Sequence, residues 1–526
     1  MEQLFLILLS ASVAFALARL SSLPVIALLV LSGYVLQNLV HLPPHLLENS
    51  MELGLSFLLF SMGIELSPER FSNRLKTVTI IALVQILVVF FHGYLLASLL
   101  GYHLTASLLL SLSVTSSSTI AIISYLRKEG KLYEPFGRLV TGVLLIQDFL
   151  IIIALLYWQQ WHAKVDPWVT TYAVFLLTAL AFIAHMVVMP KIILYLQEKT
   201  EILLLVSLSV LFLFAGIAHF LSIPHLVGAF AAGFALSQFP VNGLVRAQLY
   251  SITDFFLAFF FVSVGAYIEI PSVKGILTVI LFLLLLFLLT PLVVTITAER
   301  FHISTRSSME TGLLLSQAGE LSLAAGLFAF THGQIDRDLF SVIALITVIS
   351  MALTPLVARE DITYFFMQKR TRLFQGEKIP PLENHVVLIG YGTVSRNLRN
   401  EILALKRPVV VIDDDPRVIR DLKNKNFIAI NTDIRNKEAI KTLSLDKAFL
   451  IFSFARQVQD SLYLLHTLKG SRAKIVVRVF DKRAEKLVRS AGGIPVNASD
   501  IAIKHFIEWF SQNMARPRRK KTKART

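Results

Sequence analysis

The run Leu144-Leu145-Ile146-Gln147-Asp148-Phe149-Leu150-Ile151 places one carboxylate, with an amide beside it, inside an apolar stretch. An ionisable group at the centre of a bilayer costs at least ~2.5–3.5 kcal/mol on insertion scales, so it marks a functional position. A carboxylate there can hold a proton, and a monovalent cation can compete for its ionised form. Such competition at Asp148, with Gln147 as a neighbouring ligand, is the minimum machinery of cation/proton exchange. No Lys or Arg lies between Lys274 and Arg300, so that apolar stretch offers no cation to pair with Asp148.

Two polar runs could complete the site. Thr115-Ser116-Ser117-Ser118-Thr119 interrupts one apolar segment, and Ser316-Gln317-Ala318-Gly319-Glu320-Leu321-Ser322 interrupts another. Hydroxyls in a helix can be satisfied by carbonyls one turn back. Polar breaks in corresponding helices of two halves, however, point to a transporter site, where unwound backbone offers carbonyls to a cation. Glu320 fits either a place on the ion pathway or a charge that fixes the broken helix. Glu65 and Asp254 lie near segment ends and read as interfacial.

A second chemistry is written in Gly390-Tyr391-Gly392-Thr393-Val394-Ser395, which follows the strand-like run His385–Ile389 and leads into a helix. The second strand-like run ends in Asp413. Gly390 allows a tight turn, Gly392 lets the backbone approach a phosphate, and Asp413 accepts from ribose hydroxyls. Ser395 stands where a third glycine is usual. Asp414 and Asp415, before Pro416, read as caps of the next helix.

These residues require two kinds of scaffold. The chain has 526 residues, 55% hydrophobic and 16% charged, which excludes an ordinary soluble enzyme. Between Leu4 and Ala358 about thirteen apolar segments follow one another; the third, near 50–64, and the ninth, near 224–239, are short enough to be tilted or re-entrant. If segments 1–6 and 8–13 are repeats, the two polar breaks correspond. The first segment lacks a basic leader and a cleavage site, so it reads as a membrane helix. From His385, short β-branched runs alternate with helical segments, the pattern of a parallel sheet covered on both faces. The expected fold is a polytopic α-helical membrane protein, with inverted repeats and broken helices, plus a Rossmann-like α/β domain. Its parts are a transmembrane exchanger domain over 1–358, a linker over 359–384, a nucleotide-binding domain over 385–512 and a basic tail over 513–526.

The formal charge is +15, from 50 Lys and Arg against 35 Asp and Glu. In a soluble chain this would suggest nucleic acid, but here the cations mark topology. They concentrate after odd-numbered segments, while Lys164, Lys274 and Arg337 fall on the other side, so the amino terminus is expected outside and the α/β domain in the cytoplasm. Arg516, Arg518, Arg519, Lys520, Lys521, Lys523 and Arg525 form a tail suited to a lipid surface. No nucleic-acid partner is expected. The absence of Cys excludes disulfides and thiolate chemistry.

Gln147-Asp148, the Ser116-Ser117-Ser118-Thr119 run, Gly63-Ile64-Glu65-Leu66 and Ser316-Gln317-Ala318-Gly319-Glu320 together resemble the cation:proton antiporter-2 family. Joined to the Gly390-Tyr391-Gly392 domain, which is similar to RCK/KTN domains, the whole looks like a Kef-type potassium/proton antiporter of a cell (inner) membrane. The resemblance implies a homodimer through both domains and alternating access with segments 5, 6, 12 and 13 in the moving core. It implies K+, with Na+ as the alternative, exchanged for H+ at Asp148. It further implies AMP or NAD(H) bound as a regulatory ligand at Gly390, Gly392 and Asp413, with Asp433 and Ser453 nearby. Glutathione or an ancillary regulatory protein come with it as candidate partners, and Arg478 matches a basic position of the domain. The competing classes are a membrane NAD(H)-dependent oxidoreductase and a nucleotide-sensing receptor without transport.

Overall fold

The computed structural model describes residues 2–21, 24–66, 75–132, 135–195, 200–237, 241–301, 303–358, 362–363, 382–392, 395, 398, 401–402, 404–413, 416–425, 427–432, 434, 440, 443–455 and 458–513. Most of the linker and of the basic tail therefore lies outside the described residues. The chain divides into two compact units, one made of 1–301 with 307–360 and the other of 302–306 with 361–526.

The first unit is helical: α1 (Glu2–Ser21), α2 (Val25–Val40), α3 (Pro44–Glu65), α4 (Leu75–Leu99), α5 (Leu104–Ser113), α6 (Thr119–Lys128), α7 (Pro135–His162), α8 (Pro167–Ile183), α9 (Met189–Tyr195), α10 (Thr200–Phe220), α11 (His225–Ala235), α12 (Val241–Tyr267), α13 (Val273–Arg300), α14 (Thr305–Leu314), α15 (Glu320–Thr331) and α16 (Arg337–Val357). Seven of the helical stretches among the described residues are long and apolar enough to cross a membrane unaided. Two expected segments are each split into half-helices, α5 with α6 and α14 with α15. The seventh carries a π-helical turn at Ala184–Val188 between α8 and α9.

Two short segments differ from expectation. The third begins earlier than hydropathy suggests, because Pro44 occupies the first helical position, where its missing N–H costs nothing. At 22 residues α3 spans about 33 Å, which removes the need for a re-entrant reading. The ninth is helical only over the 11 residues of α11, about 16 Å at 1.5 Å per residue. Gly228 to Gly233 and Ala235 are buried and the rest of the helix is half-buried, so packing rather than length sustains it.

Glycines show how that packing works. A Cβ on Gly33 would stand 1.9 Å from the Val262 carbonyl oxygen, and one on Gly265 2.0 Å from that of Val30. The same relation joins α3 and α11: Gly63 would meet the Phe230 oxygen at 2.3 Å and Gly233 the Phe60 oxygen at 2.0 Å. In all four contacts the oxygen lies three residues before the partner glycine. Under a pairing of segments 1–6 with 8–13, α2 answers to α11 and α3 to α12, so α2 with α12 and α3 with α11 are the same crossing made twice. Close backbone approach through small residues is how membrane helices gain contact where lipid supplies no hydrophobic drive. Four glycines thus make the two matching crossings that a repeat of segments 1–6 in 8–13 would require.

The second unit holds a six-stranded parallel sheet in the order β3-β2-β1-β4-β5-β6, with β1 (Val386–Ile389), β2 (Val409–Asp413), β3 (Ile428–Asn431), β4 (Leu450–Ser453), β5 (Lys474–Val479) and β6 (Ile494–Asn497). Val387, Ile389, Val410 and Ile412 enter one core, and Val386, Leu388 and Val411 the other. The near-continuous apolar strands are therefore covered on both faces. Helices α17 (Pro416–Asn424), α18 (Val458–Thr467), α19 (Lys482–Ser490) and α20 (Ala498–Asn513) accompany the sheet. Strand β6 was not legible in advance; it is four residues long, contains Pro495 and pairs only with β5, as suits proline at a sheet edge. Strand order reverses between β1 and β4, the place where doubly wound sheets bind ligands.

Replacing Gly233 by Leu drives a side chain into the α3 backbone and should cost at least ~1–3 kcal/mol, seen as a lowered thermal transition in detergent. Gly216→Leu is the control, since a Cβ there meets nothing within 4 Å.

Candidate functional site

The two half-helix pairs meet at their breaks. Helix α5 ends at Ser113, where Ser113 Oγ donates to the Leu110 carbonyl at 2.8 Å and Thr115 Oγ1 to that of Leu112 at 2.7 Å. Hydroxyls thus bond carbonyls in the last turn of the helix, the Leu112 carbonyl accepting from the Thr115 N–H as well. Ser118 caps α6 by accepting from the Ala121 N–H at 3.2 Å. In the other break Ser316 Oγ donates to the Leu313 carbonyl at 2.6 Å, and Gly319 stands at the start of α15.

The breaks then satisfy each other. Ser117 Oγ donates to the Leu315 carbonyl at 2.7 Å, and Ser322 Oγ donates to the Ser113 carbonyl. Ser116 Oγ lies 3.2 Å from Ser322 Oγ. Gly319 is required here, because a Cβ would sit 2.9 Å from the Ser117 carbonyl. Ser350 Oγ on α16 accepts from the Ala318 N–H at 3.0 Å.

Carboxylates occupy the crossing. Glu320, fully buried at the N-terminus of α15, accepts at Oε1 from Ser118 Oγ at 2.5 Å. Its carboxylate also faces the backbone N–H groups of Thr119 and Ile120. It therefore lies where the positive ends of α15 and α6 converge, and its Oε2 has no partner among the described residues. Asp148, 2% exposed on α7, accepts at Oδ2 from Thr119 Oγ1 at 2.6 Å. Its Oδ1 has no partner among the described residues, and it lies within electrostatic reach of Glu320 and Glu65.

The buried amides complete the set. Gln147 Nε2 donates to Gln85 Oε1 at 2.6 Å, and Gln85 Nε2 donates to the Thr115 carbonyl at 3.3 Å. Gln147 Oε1 and both amide atoms of Gln317 have no partner among the described residues. Buried polar atoms are nearly always hydrogen-bonded. Buried oxygens without a partner among the described residues at Asp148, Gln147 and Gln317 are the kind of acceptors that a cation could use. Thr115, Ser116, Ser117, Ser118, Thr119, Gln147, Asp148, Gln317 and Glu320 are all brought to this region or its two breaks. Gln85, Ser322 and Ser350 were not anticipated; Gln85 alone left a signal, an amide inside the apolar run Leu83-Val84-Gln85-Ile86-Leu87.

In the α/β unit the glycine turn is at the carboxyl end of β1. Gly390 has φ +82, the left-handed region that favours glycine, and a Cβ there would lie 3.3 Å from the Phe454 carbonyl oxygen. Around Gly392 there is open space within 4 Å of a Cβ position. Ser395, in place of a third glycine, donates from Oγ to the Gly390 carbonyl at 2.5 Å and so ties the helix to the turn. Asp413 Oδ2 accepts from the Tyr391 N–H at 2.6 Å. One oxygen thus holds the turn, where the sequence suggested ribose alone. The Ser453 hydroxyl is buried and 2.8 Å from that of Ser461, so it contributes to the core at the end of β4. Arg478 donates to the Phe454 carbonyl at 3.1 Å. Thr393, Val394 and Asp433 lie outside the described residues.

Comparison with known proteins places both units. Residues 5–359 match the family model for the sodium/hydrogen exchanger transmembrane domain, and residues 386–499 match that for the TrkA-N domain. The chain is 25% identical over 432 residues to K(+) efflux antiporter 2, chloroplastic, of Arabidopsis thaliana, covering 76% of this chain and 36% of that protein. It thus spans about a third of the length of that plant relative. It is 23% identical over 422 residues to the putative cation/proton antiporter YbaL of Escherichia coli (strain K12), covering 76% of this chain and 75% of the relative. The sodium proton antiporter MjNhaP1 of Methanocaldococcus jannaschii shares the fold, with a TM-score of 0.52, 16% identity, and coverage of 68% of this chain and 96% of that one. The resemblance carried by Gln147-Asp148 and the two serine-rich breaks is borne out, and the oxidoreductase reading is set aside. With its membrane unit matched along nearly its whole length, the chain belongs to the sodium/hydrogen exchanger transmembrane family, a family of transporters rather than enzymes, and carries a TrkA-N domain behind it.

Proposed function

We propose that the chain is a secondary antiporter that exchanges a monovalent cation, K+ in preference to Na+, for H+ at Asp148, under control of a nucleotide bound to the TrkA-N domain. The observation that carries this reading is the free Oδ1 of a buried Asp148 whose other oxygen is held by Thr119. Proton and cation compete for the same oxygen, so each binds as the other leaves. Thr119 keeps the carboxylate oriented in both states, and Gln147 and Gln317 supply neutral oxygens. The preference for K+ is supported by the plant relative, a K(+) efflux antiporter, and Na+ by the sodium/hydrogen exchanger family. Mutual hydrogen bonds between the breaks favour movement of α5, α6, α14, α15 and the Asp148 segment of α7 as one body, in keeping with alternating access.

Gly390, Tyr391, Gly392 and Asp413 would hold AMP or NAD(H), with Thr393, Val394, Asp433 and Ser453 as further candidates. Open space at Gly392 and the left-handed Gly390 fit a phosphate approaching the backbone. The ligand supplies no chemistry to the exchange and acts as a switch. A homodimer is supported by α20, whose Phe506, Ile507, Trp509 and Phe510 are all exposed. Glutathione or an ancillary protein remains a candidate second input. The charge bias supports an inner-membrane protein with an external amino terminus and cytoplasmic α/β domain.

Three outcomes check this. In liposomes with an internal pH dye, a K+ gradient drives proton movement that Asp148→Asn abolishes; wild-type rates in the mutant would overturn the site. AMP or NADH raises the thermal transition of the purified protein, and Gly392→Val removes that shift; an unchanged shift would contradict the nucleotide site. Because the chain lacks Cys, single cysteines at Lys164 and Ser499 should label from outside and inside respectively with impermeant maleimide, and the reverse pattern would invert the topology.

A further inference from the structure

We propose that Gln85 is a positioning residue that turns the carbonyl oxygen of Gln147 toward the cation beside Asp148. The proposal rests on the exchange reading above. Gln85 is 1% exposed on α4, touching both the first break and α7.

The direction of the relay is dictated from one end. The Thr115 carbonyl, freed from helical bonding between α5 and α6, can only accept. Gln85 must therefore present its NH2 group to it, at 3.3 Å. An amide has one donor end and one acceptor end, so Gln85 Oε1 faces Gln147. Gln147 must in turn present its own NH2 group, at 2.6 Å. Its oxygen is thereby left without a protein partner, as is Oδ1 of the next residue, Asp148. Reversing both amides would set the Gln85 oxygen against the Thr115 oxygen, acceptor against acceptor, and turn the donor end of Gln147 toward the site, where it would repel a cation. A backbone carbonyl in the break thus fixes the polarity of a ligand on a different helix.

The test uses the full chain in liposomes across a K+ series. Gln85→Met should raise the half-saturating K+ concentration about tenfold, as expected for one hydrogen bond, with the saturating rate held within about twofold. Because Gln85 acts through Gln147, the double variant Gln85→Met/Gln147→Met should be no weaker than Gln147→Met alone. Gln85→Asn retains an amide one methylene too short to reach both partners, and should behave as Gln85→Met does. Additive losses in the double variant, or an unchanged half-saturation in either single variant at Gln85, would overturn the relay alone. Wild-type vesicles showing no cation-driven proton movement would overturn the exchange reading, and the relay with it.

Discussion

Two unwound segments, 114–118 and 315–319, lie buried among packed helices, and each is hydrogen-bonded by side chains from the other side of the crossing. Helices persist in membranes because they bond their own N–H and C=O groups, and irregular backbone survives there only when protein replaces the missing partners. Ser117 and Ser322 reach across to carbonyls of the opposite break, and Gly319 lets the two chains come close enough for this. Glu320 lies among the N–H groups that the breaks expose. Once that crossing is fixed, Thr119 stands where it can hold one oxygen of Asp148 and leave the other free. The proposed exchange at Asp148 would thus follow from how the breaks are satisfied.

Much of this was legible because hydrocarbon makes polar residues conspicuous. Asp148 with Gln147, the hydroxyl run from Thr115 to Thr119 and the Gln317–Glu320 segment each stand out against apolar neighbours. What stayed hidden depends on three-dimensional pairing. Gln85 is a single amide on another helix, and nothing local says that its partners are the Thr115 carbonyl and Gln147. The pairs Gly33 with Gly265 and Gly63 with Gly233 make two matching helix crossings, yet a glycine in an apolar segment carries no mark of what it touches. Length misled at α11, whose short helix is sustained by burial, and β6 was too short, with Pro495 inside it, to read as a strand.

The α/β unit shows the same division. Alternating β-branched runs disclosed a parallel sheet, and Gly390 and Gly392 disclosed the turn at the switch between β1 and β4. Side-chain destinations were less predictable. Asp413 spends one oxygen on the Tyr391 N–H, and Ser453 turns inward to Ser461. Ser395 replaces the usual glycine without loosening the turn, because its hydroxyl bonds the Gly390 carbonyl. The positive charge that would have suggested nucleic acid in a soluble chain is explained by loops flanking membrane segments and by the terminal basic run.

The central claim is that proton and cation use one oxygen of Asp148 in turn. Proton release on cation binding, measured calorimetrically on purified protein in buffers of differing ionisation enthalpy, tests it most directly. The account predicts close to one proton released per K+ bound, with neither binding nor release in Asp148→Asn. K+ binding that releases no protons, or that persists with the same release in the mutant, would contradict it.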